Sequence, residues 1–122
     1  MNMLDAQFQP RNGVPGVLCG QQWLPLAPRW HRAAGEQTDQ PVTLGVRPHD
    51  LISAPGGQPA DVGIVGITGE STLLHLNWQG FALHMQQSGR SEATPGGTLP
   101  VTVNPDKMHL FDAHSGERLI EQ

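Results

Sequence analysis

The sequence predicts an all-β fold, a small antiparallel barrel or sandwich of about eight to ten short strands. Two observations lead to this fold class. Short apolar runs alternate with turn residues along the whole chain, and no apolar pattern of helical period extends for any length. The 122 residues include 15 Gly and 11 Pro, which interrupt helices and bend strands. We expect one domain, residues 1–122, built around one core.

The first part of the chain predicts short, interrupted strands. Residues 1–8 form a mixed segment, and the Asn12-Gly13 dipeptide is typical of a turn. Residues 14–18 and 21–26 are predicted strands that glycine and proline restrict to edge or bulged positions. Residues 29–41 are predicted to be a loop, with a brief helical tendency over 32–36. Residues 42–47 alternate as a strand, with Val42, Leu44 and Val46 on one face.

The second part contains the clearest hairpin. Residues 48–51 predict a tight turn, 53–60 a Gly/Pro loop, and 61–68 a bending strand. Residues 71–78 and 80–86 then pair across a two-residue turn. In that register Trp78 faces Phe81, Leu76 faces Leu83 and Leu74 faces Met85, so all six apolar side chains share one face.

The last part of the chain predicts a loop, a strand and a closing turn unit. Residues 88–97 are a polar loop and residues 99–104 a strand. Residues 104–119 form a compact strand-turn-strand unit, with Phe111 in the core and the turn at residues 112–116.

Composition and charge exclude several classes of protein. The net charge is -4 and the only lysine is Lys107, whereas a nucleic-acid-binding domain presents a basic surface to phosphates. The single Cys19 has no partner for an internal disulfide. The apolar runs are too short for a membrane span or a signal peptide. We therefore expect a cytoplasmic protein that binds no nucleic acid and does not insert into the membrane.

The motifs indicate no enzyme. The Gly-rich segment at residues 54–58 lacks the Lys and the Ser or Thr of a Walker loop. No serine stands in a nucleophile elbow, and Asp106 and Asp112 flank a turn, where aspartate binds the local backbone. The three tryptophans are expected in a core or an interface rather than in a stacking groove. We predict no catalytic residues and no cofactor.

Two polar features are candidate ligand or interface sites. The hairpin register places His75 opposite His84, away from the apolar cluster, where the two imidazoles form a polar cross-strand pair or share a metal ion. Such a metal would need a third ligand, for which Glu70, His109 and His114 are the candidates. Arg47 ends an apolar strand and is expected to pair with a carboxylate (Glu70, Asp106 or Asp112) or to bind an anion.

Several segments, taken in order, resemble the C-terminal regulatory region of the ATP-binding subunits of ABC sugar importers, such as the maltose and glycerol-phosphate importers. They are Gly-Val-Arg-Pro-His-Asp-Leu at 45–51, Gly-Glu-Ser-Thr-Leu-Leu-His at 69–75, Met-His-Leu-Phe-Asp at 108–112 and Ser-Gly-Glu-Arg-Leu at 115–119. Residues 1–4 are similar to the segment that joins the ATPase domain to this region, and residues 21–25 fit the strand that follows.

This resemblance implies a transport-associated OB-fold (TOBE-like), an antiparallel β-barrel appended to an ATPase domain. In such importers the domain helps to hold two ATPase subunits together and receives regulatory signals. The Walker and signature motifs of the ATPase domain are absent from these 122 residues, so an excised domain or a truncated product is expected. The chain departs from the family at His49, where a glutamate is usual, and at residues 67–68.

The resemblance leads to two hypotheses. The first is a non-catalytic regulatory and dimerisation domain of a carbohydrate or polyol importer. It would be peripheral on the inner membrane, form a weak homodimer and leave Arg47, Glu70, Ser71 and the two histidines for a cytoplasmic regulatory protein or a ligand. The alternative is an OB-like barrel that binds a small oxyanion or sugar, although one lysine and six arginines supply few cationic donors.

Overall fold

The computed structural model describes residues 1–35, 39–89 and 93–119. These residues form nine strands, one single-turn helix and three 3-10 turns. The strands are β1 (Asn2–Phe8), β2 (Gly16–Cys19), β3 (Gln22–Pro25), β4 (Pro41–Val46), β5 (Leu51–Thr68), β6 (Ser71–Trp78), β7 (Phe81–Ser88), β8 (Thr98–Val103) and β9 (His109–Asp112). The helix is α1 (His31–Ala34), and the 3-10 turns are Pro28–Trp30, Pro48–Asp50 and Pro105–Lys107.

The described strands form two antiparallel sheets, one with the order β7-β6-β5-β8 and the other with the order β3-β2-β1-β4-β9. Each sheet is the framework of one compact unit. Unit 1 comprises residues 1–2 and 47–104, and unit 2 comprises residues 3–46 and 105–122. The all-β, OB-like fold class predicted from the sequence is confirmed. That residues 1–122 act as one domain stays a prediction.

The core of unit 1 lies against the hairpin of β6 and β7. The predicted register is confirmed, with Trp78 opposite Phe81, Leu76 opposite Leu83 and Leu74 opposite Met85. Gln79 and Gly80 both have positive φ, 54° and 89°, as a type I′ turn requires. Five of the six apolar side chains are buried, and Phe81 is half-buried.

Strand β5 corrects the prediction of a loop at residues 53–60. The strand runs through this segment and pairs with β8, but Ser53 and Gln58 both lie opposite Val101. The intervening residues 54–57 form a bulge, which contains Pro55 and the two glycines of the segment. A proline-rich stretch can therefore remain within one bent strand.

The core of unit 2 surrounds Trp30. The indole is fully buried and its Nε1 donates a hydrogen bond to the Met108 carbonyl at 3.2 Å. Arg29 donates to the same carbonyl and to that of Asp106. The prediction of a loop over residues 29–41 is thus wrong for its first part, where a 3-10 turn and α1 place Trp30 in the core; residues 36–38 lie outside the described residues.

Three further predictions for unit 2 are corrected. Residues 2–8 of the predicted mixed segment form strand β1, and β2 lies inside the sheet rather than at its edge. Phe111 is half-buried, whereas its neighbour Leu110 is fully buried opposite Leu44. Successive side chains of a strand point to opposite faces, so only one of the two residues at 110 and 111 can face this core. The predicted turn at 112–116 is confirmed, because the Gly116 N–H donates to the Asp112 carbonyl.

Candidate functional site

The five residues predicted as ligand or interface residues, Arg47, Glu70, Ser71, His75 and His84, all lie in unit 1. Arg47 precedes the 3-10 turn Pro48–Asp50, and its side chain is exposed. Among the residues described in this unit, Arg47 forms no ion pair with Glu70 or another carboxylate. Within this turn, His49 Nε2 lies 3.6 Å from Asp50 Oδ2.

Glu70 and Ser71 occupy the turn between β5 and β6, and this turn is tied to the end of β7. The Glu70 carbonyl accepts a hydrogen bond from the Gly89 N–H at 2.5 Å. Next along β6, the buried Thr72 hydroxyl donates to the Gly89 carbonyl at 2.7 Å. The Glu70 side chain is exposed, so the turn presents a carboxylate on a backbone held by hydrogen bonds. Residues 90–92 of the adjoining predicted loop lie outside the described residues.

His75 and His84 lie opposite each other on β6 and β7, as the register predicts. Their ring centroids are 4.6 Å apart and the ring planes meet at 82°. Both side chains are exposed. The two imidazoles therefore form a cross-strand pair in edge-to-face contact on the solvent side of the sheet.

A feature that sequence reasoning missed holds His84 in place. The side-chain amide of Asn2 donates to the His84 carbonyl at 2.8 Å and accepts from the His84 N–H at 2.9 Å. Asn2 is 7% exposed, so this pair of hydrogen bonds satisfies a buried polar side chain. No local signal predicts it, because the two residues are 82 positions apart in the chain.

The candidate third metal ligands are not brought to the histidine pair. His109 and His114 belong to unit 2, where His109 Nδ1 lies 3.2 Å from an Arg118 guanidinium nitrogen. Among the described residues, no group of three or more His, Cys, Asp or Glu side chains is arranged around a common point. Within the described residues, the histidine pair therefore presents two imidazoles without a third metal ligand beside them.

Exposed apolar side chains near the pair were also not predicted. Ile64 and Ile67 on β5 are 64% and 63% exposed, and Leu73 on β6 is 38% exposed. Leu73 lies opposite Gly66, which has no side chain to cover it. Ile67 lies opposite Thr72 and so points to the other face of the sheet from Leu73. We call Ile64 and Leu73 the apolar patch of unit 1. The sequence Gly-Ile-Val-Gly-Ile at residues 63–67 contains the signal for it, because its two glycines leave the neighbouring apolar side chains uncovered.

A shallow cavity in unit 2 offers no reactive group. It has a volume of about 330 Å³ and is lined by Asp5, Ala6, Gln7, Leu18 and Gly20. The nearby Cys19 is buried, and its thiol contacts the Asp5 carbonyl at 3.5 Å. Burial, together with the charge of Asp5, raises the pKa of Cys19 to about 11. The thiol is therefore protonated at neutral pH and is not a nucleophile.

Within the described ranges, no helix has the length and apolarity needed to cross a lipid bilayer. No protein-family model matches the chain.

Curated relatives of the chain are import ATP-binding proteins. The sn-glycerol-3-phosphate import ATP-binding protein UgpC of Jannaschia sp. (strain CCS1) is 34% identical over 98% of this chain and 32% of the relative. Proteins of the same name from Shigella boydii serotype 4 (strain Sb227) and Escherichia coli (strain K12) are 30% identical over 98% of this chain and 33% of the relative. The chain thus spans about a third of the length of these relatives, and the resemblance predicted from the sequence is confirmed.

Proposed function

Because the chain is homologous to the C-terminal part of sn-glycerol-3-phosphate import ATP-binding proteins, we propose that it is a non-catalytic regulatory and dimerisation domain of such an importer subunit. The observation that carries the proposal is the similarity over 98% of the chain. The substrate class of the importer would be a carbohydrate or polyol, and the domain would act in the cytoplasm, peripheral to the inner membrane.

The apolar patch of unit 1 is the surface proposed for dimerisation. Ile64 is 64% exposed and Leu73 is 38% exposed, and exposed apolar surface is costly unless a partner covers it. Gly63 and Gly66 lie in the same segment of β5, and bare backbone allows another surface to approach closely. A second copy of the chain is the partner that we propose for this patch.

The dimer would be weak. Two exposed apolar side chains form a small contact, and stable protein interfaces bury on the order of 1,200–2,000 Å² in total. In a complete importer subunit, the ATPase domains would add contacts of their own. We expect the isolated chain to associate only at high concentration.

The loops beside the patch are the proposed surface for a regulatory protein. Glu70 and Ser71 stand at an ordered turn, which presents fixed polar groups without an ordering cost on binding. Arg47 adds an exposed cation within the same unit. These residues stay candidates for contact with a partner or ligand.

The alternative, an oxyanion-binding barrel, is less well supported by the cations present. Arg29 is engaged with backbone carbonyls, Arg11 stacks on Trp23 at 5.5 Å, and Arg118 lies over Trp30 at 6.0 Å. Recognition of an oxyanion needs several donors directed at one point. A thermal shift assay with molybdate, tungstate, sulfate and a panel of sugars separates the hypotheses: a large rise in Tm with an oxyanion would favour the alternative.

Sedimentation velocity over a concentration series tests the dimer. We expect reversible association of the wild-type chain, and Ile64→Lys should shift it to monomer because a charge would be buried at the contact. Val14→Lys is the matched control, since Val14 is an exposed β-branched residue of unit 2, 42% exposed. A monomer at every concentration, or equal effects of both variants, would contradict the proposed interface.

A further inference from the structure

The backbone geometry at His84 places the two imidazoles of the cross-strand pair unusually close. Both the N–H and the carbonyl of His84 bond to the Asn2 side chain, so neither group is directed at β6. His75 and His84 are therefore a non-hydrogen-bonded pair of the antiparallel ladder, the class in which Cα atoms are about 4.5 Å apart and side chains are closest. The centroid distance of 4.6 Å agrees with this geometry.

The surroundings of the pair leave it open to solvent. On β7 the neighbours on the same face are Ala82 and Gln86, and on β6 one neighbour is Asn77, all exposed. On the β5 side, Gly63 lies beside His75, since a Cβ added at Gly63 would be 3.4 Å from the His75 carbonyl oxygen. No side chain of that glycine covers the imidazole, and water can reach both rings.

The chemistry of two adjacent imidazoles selects a class of cation. Imidazole nitrogens are good ligands for Zn²⁺, Cu²⁺ and Ni²⁺, whereas Mg²⁺ and Ca²⁺ prefer oxygen. We propose that His75 and His84 form a two-imidazole site for a late first-row divalent cation, which bridges β6 and β7. With two protein ligands and water at the other positions, the site is an exchangeable surface site and differs from a closed structural zinc centre.

Binding at this site is coupled to folding. The two histidines are nine positions apart in the chain and are brought together only by the hairpin register. A cation that binds the folded hairpin better than the unfolded chain stabilises the fold in proportion to the logarithm of its concentration. The Asn2 hydrogen bonds fix the backbone at His84, which lowers the backbone ordering cost of binding.

Thermal unfolding of the 122-residue chain with Ni²⁺, Cu²⁺ or Zn²⁺ tests the proposal. We expect a rise in Tm of roughly 5 °C at about ten times the Kd, reversed by EDTA, and none with Mg²⁺. His75→Gln and His84→Gln should each abolish the rise, because one imidazole does not chelate. His114→Gln, at an exposed histidine of the turn in unit 2, is the matched control and should retain it.

A second measurement locates the ion. Substoichiometric Cu²⁺ should broaden the NMR signals of the His75 and His84 rings before those of His49 and His114. No rise in Tm with any of the three cations, a rise retained in either pair variant, or equal broadening of all histidines would overturn the proposal.

Discussion

Replacement of Trp78 by phenylalanine tests how the bulge of β5 is held in unit 1. The Trp78 indole is fully buried, and its Nε1 donates to the carbonyls of Gln58 at 3.2 Å and Val101 at 3.1 Å. These are the residues at which the bulged strand rejoins β8, since Gln58 lies opposite Val101. A single side chain thus fastens the bulge to the neighbouring strand.

The cost of Trp78→Phe has two parts. Loss of the N–H leaves two carbonyls without this donor, which costs about 1–3 kcal/mol when the groups are buried. The smaller ring also leaves unfilled space, for which we take about 1 kcal/mol, well below the 3–5 kcal/mol of a full truncation to alanine. The free energy of unfolding should therefore fall by about 2–4 kcal/mol, a large part of the 5–15 kcal/mol typical of a domain.

Urea denaturation followed by far-UV circular dichroism measures this loss without relying on tryptophan fluorescence. Trp23→Phe is the matched control: Trp23 Nε1 donates to the Gln9 carbonyl at 2.7 Å, but the side chain is only half-buried. Water can replace part of that bond, so the control should lose about 1 kcal/mol or less.

An isostere separates the two parts of the cost. Benzothienylalanine at position 78 keeps the size of the indole but has no N–H, so it should lose only the hydrogen-bond contribution. If Trp78→Phe were no more destabilising than Trp23→Phe, or if the isostere were as stable as wild type, the indole would not hold the bulge through its hydrogen bonds.

Three further changes test other parts of the structure. A Cβ at Gly57 would lie 2.7 Å from the Val101 backbone, so Gly57→Ala should lower the free energy of unfolding, measured by urea denaturation, by about 1–3 kcal/mol. A Cβ at Gly66 would have its nearest neighbouring atom at 4.0 Å, so Gly66→Ala should change the free energy of unfolding by less than about 0.5 kcal/mol. Because burial raises the pKa of Cys19 to about 11, iodoacetamide at neutral pH should label the thiol only after unfolding, and rapid labelling of the native protein, seen by mass spectrometry, would contradict its burial. Hydrogen bonds from the Ser115 and His114 N–H groups lower the pKa of Asp112. The contribution of this carboxylate to stability is therefore present at neutral pH and is lost as the pH falls through the lowered pKa. Asp112→Ala should be less stable than wild type at pH 7, with a difference that shrinks in acid, and a difference independent of pH would refute this.

The parts of the fold predicted from sequence are those with a local cause. The register of the β6 and β7 hairpin was predicted correctly because period-2 alternation on both strands and the Gln79-Gly80 turn admit one register, although β7 runs from Phe81 to Ser88 rather than over residues 80–86. The Pro48–Asp50 turn and β4 followed in the same way from proline and alternation. The OB-like fold class came from the resemblance of several short motifs.

The missed parts depend on partners distant in the chain. β1 was not predicted, and it begins with a buried polar residue, Asn2, whose burial is made favourable by His84, 82 positions away. Residues 53–60 read as a loop because their prolines and glycines exclude a regular strand, whereas Trp78 and Val101 stabilise a bulged one. The choice of Leu110 over Phe111 for the core likewise follows from pairing with β4.

The same distinction applies to the candidate site. Alternation along β6 and β7 predicted that His75 and His84 would be opposite each other on the outer face, but not how close they would be. That closeness follows from the turn: Trp78 and Phe81 close it as a hydrogen-bonded pair, and because the two classes of pair alternate along the ladder, His75 and His84 form a non-hydrogen-bonded pair. In such a pair the N–H and carbonyl of His84 point away from β6, and the Asn2 side chain bonds to both. Because these two bonds hold the β7 backbone at His84, substitution of Asn2 should weaken cation binding without altering either ligand.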